Sequence, residues 1–576
     1  MKRVRTMAGH LNPRFENRHS RVANFRQLMD YTVRHHGDLT AFILKDTAPK
    51  GKSPIYHHIT FRAFAEQVDA LAASLAKRNA FGKPIAIIGK NRYEWSLAYF
   101  AVMVGGGTVV PLDRALPVAE ALSCLARSSA GTLVYDEAHE DVVQAASGSS
   151  ELASIQALSM DSLPSLVEEG LALIKEGFTY HRDRPLDPEE STIVLFTSGT
   201  TAASKAVLLS QKNVLCNAYD ALICEDARPG DVTMAFLPYH HTFGSTGQVV
   251  MIYGGVTTTF CDGIKYIQKN LVEYKVSIFI GVPALVEAIY KKILAGIKKQ
   301  GKEKTLAKGI LLSNALRRAH IDRRHQIFKE IHEQLGGHLR LIISGASAAD
   351  PEVLQGLQAI GIDTVQGYGL TETAPILCAE NLDSQRKGSV GLCMPSVNIQ
   401  LADLQEDGVG EIICQGPNVM AGYWNDPDAT DAVLRNGWFY TGDLGTIDKD
   451  GYVYIKGRKK NVIVLKNGKN VFPEELEKLM DGVPFIDEVI VFGEEKDETS
   501  KNDLVVACKI VYNQDMMDNF FHAHTEEEIR EVLKDAVERV NDKIPEYKRI
   551  RRLHFSDQPM IKTSTGKVKR FEEIKR

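Results

Sequence analysis

Between Thr192 and Val207 the chain reads Thr-Ile-Val-Leu-Phe-Thr-Ser-Gly-Thr-Thr-Ala-Ala-Ser-Lys-Ala-Val, an apolar run followed by hydroxyl and glycine residues and then a lysine. The run Ile193 to Phe196 suits a buried strand, and the small or hydroxylated residues after it leave backbone N–H groups able to face an anion. Thr197, Ser198, Thr200 and Thr201 add hydroxyl donors, Gly199 allows close approach, and Lys205 brings a mobile positive charge. This is the composition of a triphosphate cradle. It lacks the Gly-x-x-x-x-Gly-Lys-Ser/Thr spacing of P-loop NTPases, so a different nucleotide chemistry is implied. Taken alone, the stretch fits an ordinary turn equally well.

Three further stretches carry chemistry. Gly367-Tyr368-Gly369-Leu-Thr371-Glu372-Thr follows a strand-like Ile362 to Gln366 and sets an aromatic ring between glycines, where it could lie on a purine. Thr371 and Glu372 come next, where a phosphate and its Mg²⁺ need oxygen ligands. Gly437-Trp-Phe-Tyr-Thr-Gly-Asp443 is expected to hold Asp443 in a turn after an aromatic strand, as an acceptor for ribose hydroxyls, with Arg458 as its partner beyond a hairpin around Asp448-Lys-Asp-Gly451. Lys562-Thr-Ser-Thr-Gly-Lys567 presents one lysine among others in a glycine-bounded loop, which by charge alone reads as a basic tail.

The elements that must position these residues follow from patterning. A chain of 576 residues exceeds what one core holds, so at least two domains are expected. Short apolar runs alternate with helical stretches: Ile85-Ala-Ile-Ile, Thr108-Val-Val-Pro-Leu and Leu133-Val-Tyr read as strands, and Trp95 to Val104 as a helix. The pattern resumes with Val232 to Leu237, Thr257 to Phe260, Val276 to Ile280 and Leu339 to Ser344, so two wound halves of mostly parallel sheet are predicted in one large domain. Ala145 to Asp187, rich in Ser, Gly, Glu and Pro, reads as an irregular connection. Trp95 to Leu112, the most apolar window, contains Gly105-Gly-Gly and Pro111 and is read as helix, turn and strand, not as a membrane span.

Composition excludes several classes. Hydrophobic content of 44% and charged content of 25% are those of an ordinary globular protein, and a net charge of −4 gives no drive toward nucleic acid. Eight scattered cysteines without Cys-x-x-Cys spacing argue against a zinc ribbon or a disulfide framework and fit a reducing cytoplasm. Lys2, Arg3 and Arg5 precede no apolar stretch of the signal-peptide kind. Seven lysines and one acid lie between Lys291 and Lys308, followed by Arg317, Arg318, Arg323 and Arg324 on a helix-like segment with Ile321, Phe328, Ile331 and Leu335 on one face. That cluster is a candidate for peripheral contact with an anionic membrane, against the commoner reading of a solvated basic surface.

In this order and at these separations the four stretches resemble the adenylate-forming, AMP-binding superfamily. Within it, Asn91-Arg-Tyr-Glu-Trp, Val282-Pro-Ala-Leu-Val-Glu-Ala-Ile-Tyr and Leu341-Ile-Ile-Ser-Gly-Ala-Ser are similar to the long-chain acyl-CoA synthetases. The resemblance implies an α/β fold: a large N-terminal domain, residues 1–456, and a small mobile α+β domain, residues 457–576. It implies ATP and Mg²⁺ as cofactors, coenzyme A as co-substrate, and a fatty acid activated through an acyl-AMP intermediate. Carried over, Thr197, Ser198, Gly199, Thr200, Thr201 and Lys205 hold the phosphates. Gly345 and Ala346 border the adenine against Tyr368 between Gly367 and Gly369, Thr371 meets the α-phosphate, Glu372 binds Mg²⁺, and Asp443 with Arg458 holds the ribose. His241 stands beside the acyl carboxylate, Lys460 is the hinge, Lys567 is the adenylation lysine, and Lys466, Gly468, Lys469 and Asn470 face the coenzyme A tunnel. Val282, Pro283, Ala284 and Gly255 are candidates for the acyl wall, against ordinary core packing as the commoner role for any one of them. The phosphate loop departs from the family pattern, with Ala202, Ser204 and Ala206 where Gly, Pro and Gly are usual, which puts its freedom to take positive φ in question. Two alternatives stay open: a ligase that loads an acyl carrier protein, and a nucleotide- or acyl-binding regulator. No Asp precedes His241 to pair an amino-acid ammonium, which argues against amino-acid activation.

Overall fold

Ile85–Ile88 is buried along its whole length, as a strand covered on both faces must be. It pairs in parallel with Val109–Leu112 on one side and Thr132–Tyr135 on the other. Around this centre lies a seven-stranded sheet, in spatial order Gly422–Tyr423, Lys205–Ser210, Ser191–Thr197, Val109–Leu112, Ile85–Ile88, Thr132–Tyr135, Gln156–Ser159. A second, nine-stranded sheet contains Val232–Ala235, Thr257–Phe260, Ile278–Gly281, Leu341–Ser344 and Asp363–Gly369, as the alternation predicts. The computed structural model describes residues 19–46, 53–197, 204–480, 483–496, 503–562 and 568–576.

One apolar core joins the two sheets through the buried helices Phe61–Lys77, Tyr93–Val104, Gln211–Cys224 and Thr242–Tyr253. The apolar window resolves into helix Tyr93–Val104 and strand Val109–Leu112. A five-stranded antiparallel sheet follows, which includes Gly410–Gln415, Trp438–Ile447 and Val453–Arg458. Beyond it, Ile486–Glu495, Leu504–Tyr512 and Arg552–Ser556 form a three-stranded sheet with its own core, which includes Leu476, Val491 and Leu533.

Two expectations are corrected here. Residues 145–187 are not an irregular connection, since they contain strand Gln156–Ser159 and helix Leu163–Lys175. Leu163, Leu166, Val167 and Gly170 share a buried face, and Gly170 lies so close to helix Phe61–Lys77 that a Cβ would stand 1.8 Å from the Ala70 carbonyl oxygen. Composition hid a helical spacing. The basic segment is not one amphipathic helix either: Glu303–Arg318 stops, and short helices Arg324–Ile327 and Lys329–Gln334 follow a turn. Ile321 is exposed, whereas Arg324 is buried and bound by Asp322 at 2.7 Å and Asp363 at 2.9 Å, so its charge is spent inside the fold.

Candidate active site

Tyr368 lies in strand Asp363–Gly369, and its hydroxyl donates to Asp443 Oδ2 at 2.7 Å. Arg458 Nε meets Asp443 Oδ1 at 2.8 Å. Asp443 is not in a turn, as the sequence reading expects, but inside strand Trp438–Ile447, directly opposite Arg458 in the ladder. The aromatic run and the segment to Ile447 are continuous because Gly442, at φ +71°, bends the strand without ending it. The Asp443 backbone amide donates to Thr441 Oγ1 at 3.0 Å, and the Thr441 carbonyl accepts from Arg458 Nη1 at 3.3 Å, so Thr441 holds the Asp443 main chain and the Arg458 side chain. Burial and then the Asp443 charge push the Tyr368 phenol well above its ordinary range, which keeps it a donor.

The surrounding backbone leaves little latitude. A Cβ on Gly369 would stand 1.8 Å from the Pro375 carbonyl oxygen, and one on Gly345 would touch the Phe243 ring at 3.0 Å. Gly367 pairs with Ala379. Ala346 sits at φ +75°, a left-handed conformation that costs a non-glycine residue of order 1–3 kcal/mol. Thr371 and Glu372 open a single 3₁₀ turn, Thr371–Thr373.

On the phosphate side, Ser191–Thr197 and Lys205–Ser210 form an antiparallel pair in which Thr197 faces Lys205, with Thr197 Oγ1 donating to the Lys205 carbonyl at 3.2 Å. Ser198, Gly199, Thr200 and Thr201, with Ala202 and the C-terminal Lys567, lie outside the described residues. The Lys205 ammonium stands 4.4 Å from the centre of the Tyr423 ring, and the Tyr423 hydroxyl donates to Glu372 Oε1 at 2.9 Å. Lys205, expected at the phosphates, and Glu372, expected at Mg²⁺, are thus linked through one tyrosine. Burial, then Glu372, raises the Tyr423 phenol. Sequence reasoning missed Tyr423, whose only signal is a Gly-Tyr pair; it arrives because Gly422–Tyr423 pairs with Val207 and Leu208.

The departures in this loop also have a structural account. Ala206 is buried in the strand opposite Phe196, where no positive φ is needed. At Ser204, Arg127 donates to the hydroxyl at 3.2 Å and to the carbonyl at 2.6 Å, while its guanidinium lies 5.1 Å from the centre of the Phe196 ring.

Lys460 joins this group of charges: burial, Arg458 and Lys205 lower its ammonium, partly opposed by Asp443. The expected tunnel residues have partners of their own. Lys466 pairs with Asp503 at 3.4 Å, the Lys469 ammonium lies 4.5 Å from the centre of the Tyr547 ring, Asn470 Nδ2 donates to Gln405 Oε1 at 3.0 Å, and Gly468 turns at φ +76°.

On the third side, His241 immediately precedes helix Thr242–Tyr253, and its side chain makes no capping bond to it. Asn91 holds the preceding loop, donating to the Leu237 carbonyl at 2.7 Å and accepting the Tyr239 amide at 3.1 Å. Behind the loop a small pocket of about 30 Å³ is lined by Met234, Phe236, Phe243, Gly247, Met251 and Ile280 among others. The expected wall residues do not line it: Gly255 packs on the His36 ring, and Val282, Pro283 and Ala284 begin helix Pro283–Lys299 elsewhere.

The AMP-binding enzyme family matches residues 29–424, and its C-terminal domain family matches residues 460–576. The chain belongs to the AMP-binding enzyme family. Long-chain-fatty-acid–CoA ligase FadD15 of Mycobacterium bovis is 27% identical over 498 residues, 81% of this chain and 82% of that protein. Among solved structures, the anthranilate CoA ligase AuaEII in complex with anthranoyl-AMP superposes with a TM-score of 0.74 at 19% identity, covering 96% of each chain. ATP-bound MatB from Rhodopseudomonas palustris gives 0.72 at 22% identity, over 96% of this chain and 98% of that one. This AMP-binding enzyme has the α/β adenylate-forming fold that its sequence motifs imply, and the acid–thiol ligase reading is the one its relatives support.

Proposed function

We propose that this AMP-binding enzyme is an ATP-dependent acyl-CoA synthetase that activates a fatty acid of medium to long chain and transfers it to coenzyme A. The observation that carries the reading is the convergence of three groups: Tyr368–Asp443–Arg458, Lys205–Tyr423–Glu372, and an apolar pocket behind His241. The family and its ligase relatives do not favour the carrier-protein ligase or the regulator.

In the first half-reaction a carboxylate oxygen bonds to the α-phosphorus, the bond to the β-phosphate oxygen breaks, and pyrophosphate leaves. Two anions must meet, and one cation about 4 Å away contributes on the order of 4 kcal/mol at an effective dielectric near 20. Lys205 and Lys567 supply that charge, the hydroxyls of Thr197, Thr200 and Thr371 orient the phosphates, and Asp443 with Arg458 holds the ribose. Glu372 fits Mg²⁺: it offers a hard carboxylate oxygen beyond its bond from Tyr423, and the ion when bound neutralises the pyrophosphate. In the second half-reaction the thiol of coenzyme A attacks the acyl carbonyl, a C–S bond forms and AMP leaves. A small domain that begins near Gly457 and turns about Lys460 withdraws Lys567 and presents Lys466 to Asn470. Each buried methylene contributes about 0.8 kcal/mol, so the pocket selects a range of chain lengths more than one acid.

The partial reactions test the assignment. Lys567→Ala is expected to abolish pyrophosphate release from ATP and acid, yet to spare thioester formation from supplied acyl-adenylate. Equal loss of both half-reactions contradicts it.

Peripheral membrane contact is supported by helix Glu303–Arg318, where Leu311 is 71% and Leu312 54% exposed beside Lys304 and Lys308. Among the described residues no helix is long and apolar enough to cross a membrane. Co-sedimentation with anionic vesicles should fall in the Lys304→Glu/Lys308→Glu variant and in the Leu311→Ser variant, and binding unchanged in both removes the reading.

A further inference from the structure

Asp113, His240 and His241 bring three ligand atoms within 4.8 Å of one another. They come from two sheets. Asp113 follows strand Val109–Leu112 of the seven-stranded sheet, and the histidines end the loop that leads from Val232–Ala235 of the other sheet into helix Thr242–Tyr253. His240 is 7% exposed, and its Nε2 has no hydrogen-bond partner although it faces Asp113 Oδ1 at 3.4 Å. A buried nitrogen without a hydrogen bond is costly, and a metal ion would satisfy it.

The spacing fits one class of ion. With bonds of about 2.0–2.1 Å in a tetrahedral site, two ligand atoms stand about 3.3–3.4 Å apart, so the Asp113–His240 pair already has the separation of two zinc ligands. The His240 and His241 rings lie 4.3 Å apart between centres, tilted by 47°. Imidazole donors favour Zn²⁺ and its neighbours over Mg²⁺ or Ca²⁺, which take oxygen shells. The outer layer is also in place: the Ala115 amide donates to Asp113 Oδ1 at 2.8 Å, and Asn91 clamps the loop on both sides of Pro238. Two histidines and one carboxylate leave a fourth position open, and Leu237, Tyr239, Phe243 and Gly244 beside the histidines line the apolar pocket.

We infer that Asp113, His240 and His241 form a binding site for a divalent transition-metal ion, Zn²⁺ foremost, at the mouth of the acyl pocket, and that the bound ion inhibits adenylation. The inhibition rests on the function proposed above; the binding does not. An acid captured as fourth ligand has its lone pair directed at the metal and not at phosphorus, and the ion removes the His241 nitrogen from the acid.

The test uses the full chain without nucleotide or acid. Zn²⁺ is titrated against a chromogenic chelator, and Co²⁺ is followed by its visible absorption. One equivalent is expected, with affinity falling roughly tenfold or more in Asp113→Asn and in His240→Ala. Melting temperatures of the two variants, measured without metal, confirm that they fold. Absence of binding, affinity unchanged in both variants, or a thiolate charge-transfer band with Co²⁺ overturns the site. Pyrophosphate release should then slow with added Zn²⁺ in the parent and less in Asp113→Asn. Release indifferent to Zn²⁺ in a protein that binds it overturns the inhibition, and a chain that binds Zn²⁺ but releases no pyrophosphate with any acid refutes the synthetase reading while leaving the metal site standing.

Discussion

Two buried carboxylates in this chain meet opposite surroundings. Asp443 has a guanidinium at 2.8 Å and a phenol at 2.7 Å. Glu380 is just as buried but is met by Gln366, whose backbone amide donates at 3.2 Å, and by no cation among the described residues, and burial pushes its carboxyl up to about 7. Neighbouring Glu225 is raised in the same direction by burial and by the Glu380 charge. A raised carboxyl binds more protons folded than unfolded, so its effect on stability is complete below the ordinary value near 4.5 and is lost as pH rises through about 7. Glu380→Gln should therefore melt higher than the parent at pH 8, by on the order of 3 kcal/mol, with little difference at pH 4.5. Calorimetry at the two pH values checks this, and equal shifts at both would contradict it. The Asp443–Arg458 pairing was legible in the sequence as an acid after an aromatic strand with an arginine beyond the next hairpin, and Tyr368 and Glu372 as members of one short glycine-bounded run, while their roles belong to the proposed function. Tyr423, Asn91 and the Asp113–His240 pair were not, because they reach the site through tertiary pairing that no local spacing encodes.

At the scale of elements, the phosphate segment is one side of a hairpin. The sequence showed its first strand; the second, Lys205–Ser210, was hidden because Lys205 looked like part of the loop. Seen as a strand residue, Ala206 raises no difficulty for a position where the resemblance leads one to expect glycine. Ser204 lacks the stiffness of proline, and Arg127 compensates by holding its hydroxyl and carbonyl from helix Val118–Arg127. Arg127→Ala should raise the KM for ATP roughly three- to tenfold with a smaller change in kcat, since the bonds are exposed and screened. Steady-state kinetics with ATP varied tests it, and an unchanged KM would show that the loop is held by other means. Helix Leu163–Lys175 makes the converse point: a segment rich in polar and small residues is still ordered when four of them fall on one buried face.

At the scale of the molecule, the alternation of apolar runs and helical stretches was enough to announce two sheets, and these divide the labour. The seven-stranded sheet carries Lys205 and Tyr423 and the nine-stranded sheet carries Tyr368 against Asp443, and the proposed function assigns the first pair to the phosphates, the second to the ribose and His241, before helix Thr242–Tyr253, to the acid. The five-stranded sheet, which the sequence reading did not foresee, sets Asp443 opposite Arg458 immediately before Lys460. A core of its own in the C-terminal segment fits a body that turns as a unit. The central claim is that these parts serve acid activation followed by transfer to a thiol. Its most direct test is pyrophosphate release from ATP and Mg²⁺ with a panel of fatty, aromatic and amino acids, each with and without coenzyme A. Multiple turnovers with medium- and long-chain fatty acids only when coenzyme A is present are the predicted result. Release indifferent to coenzyme A, or none with any acid, would contradict the account.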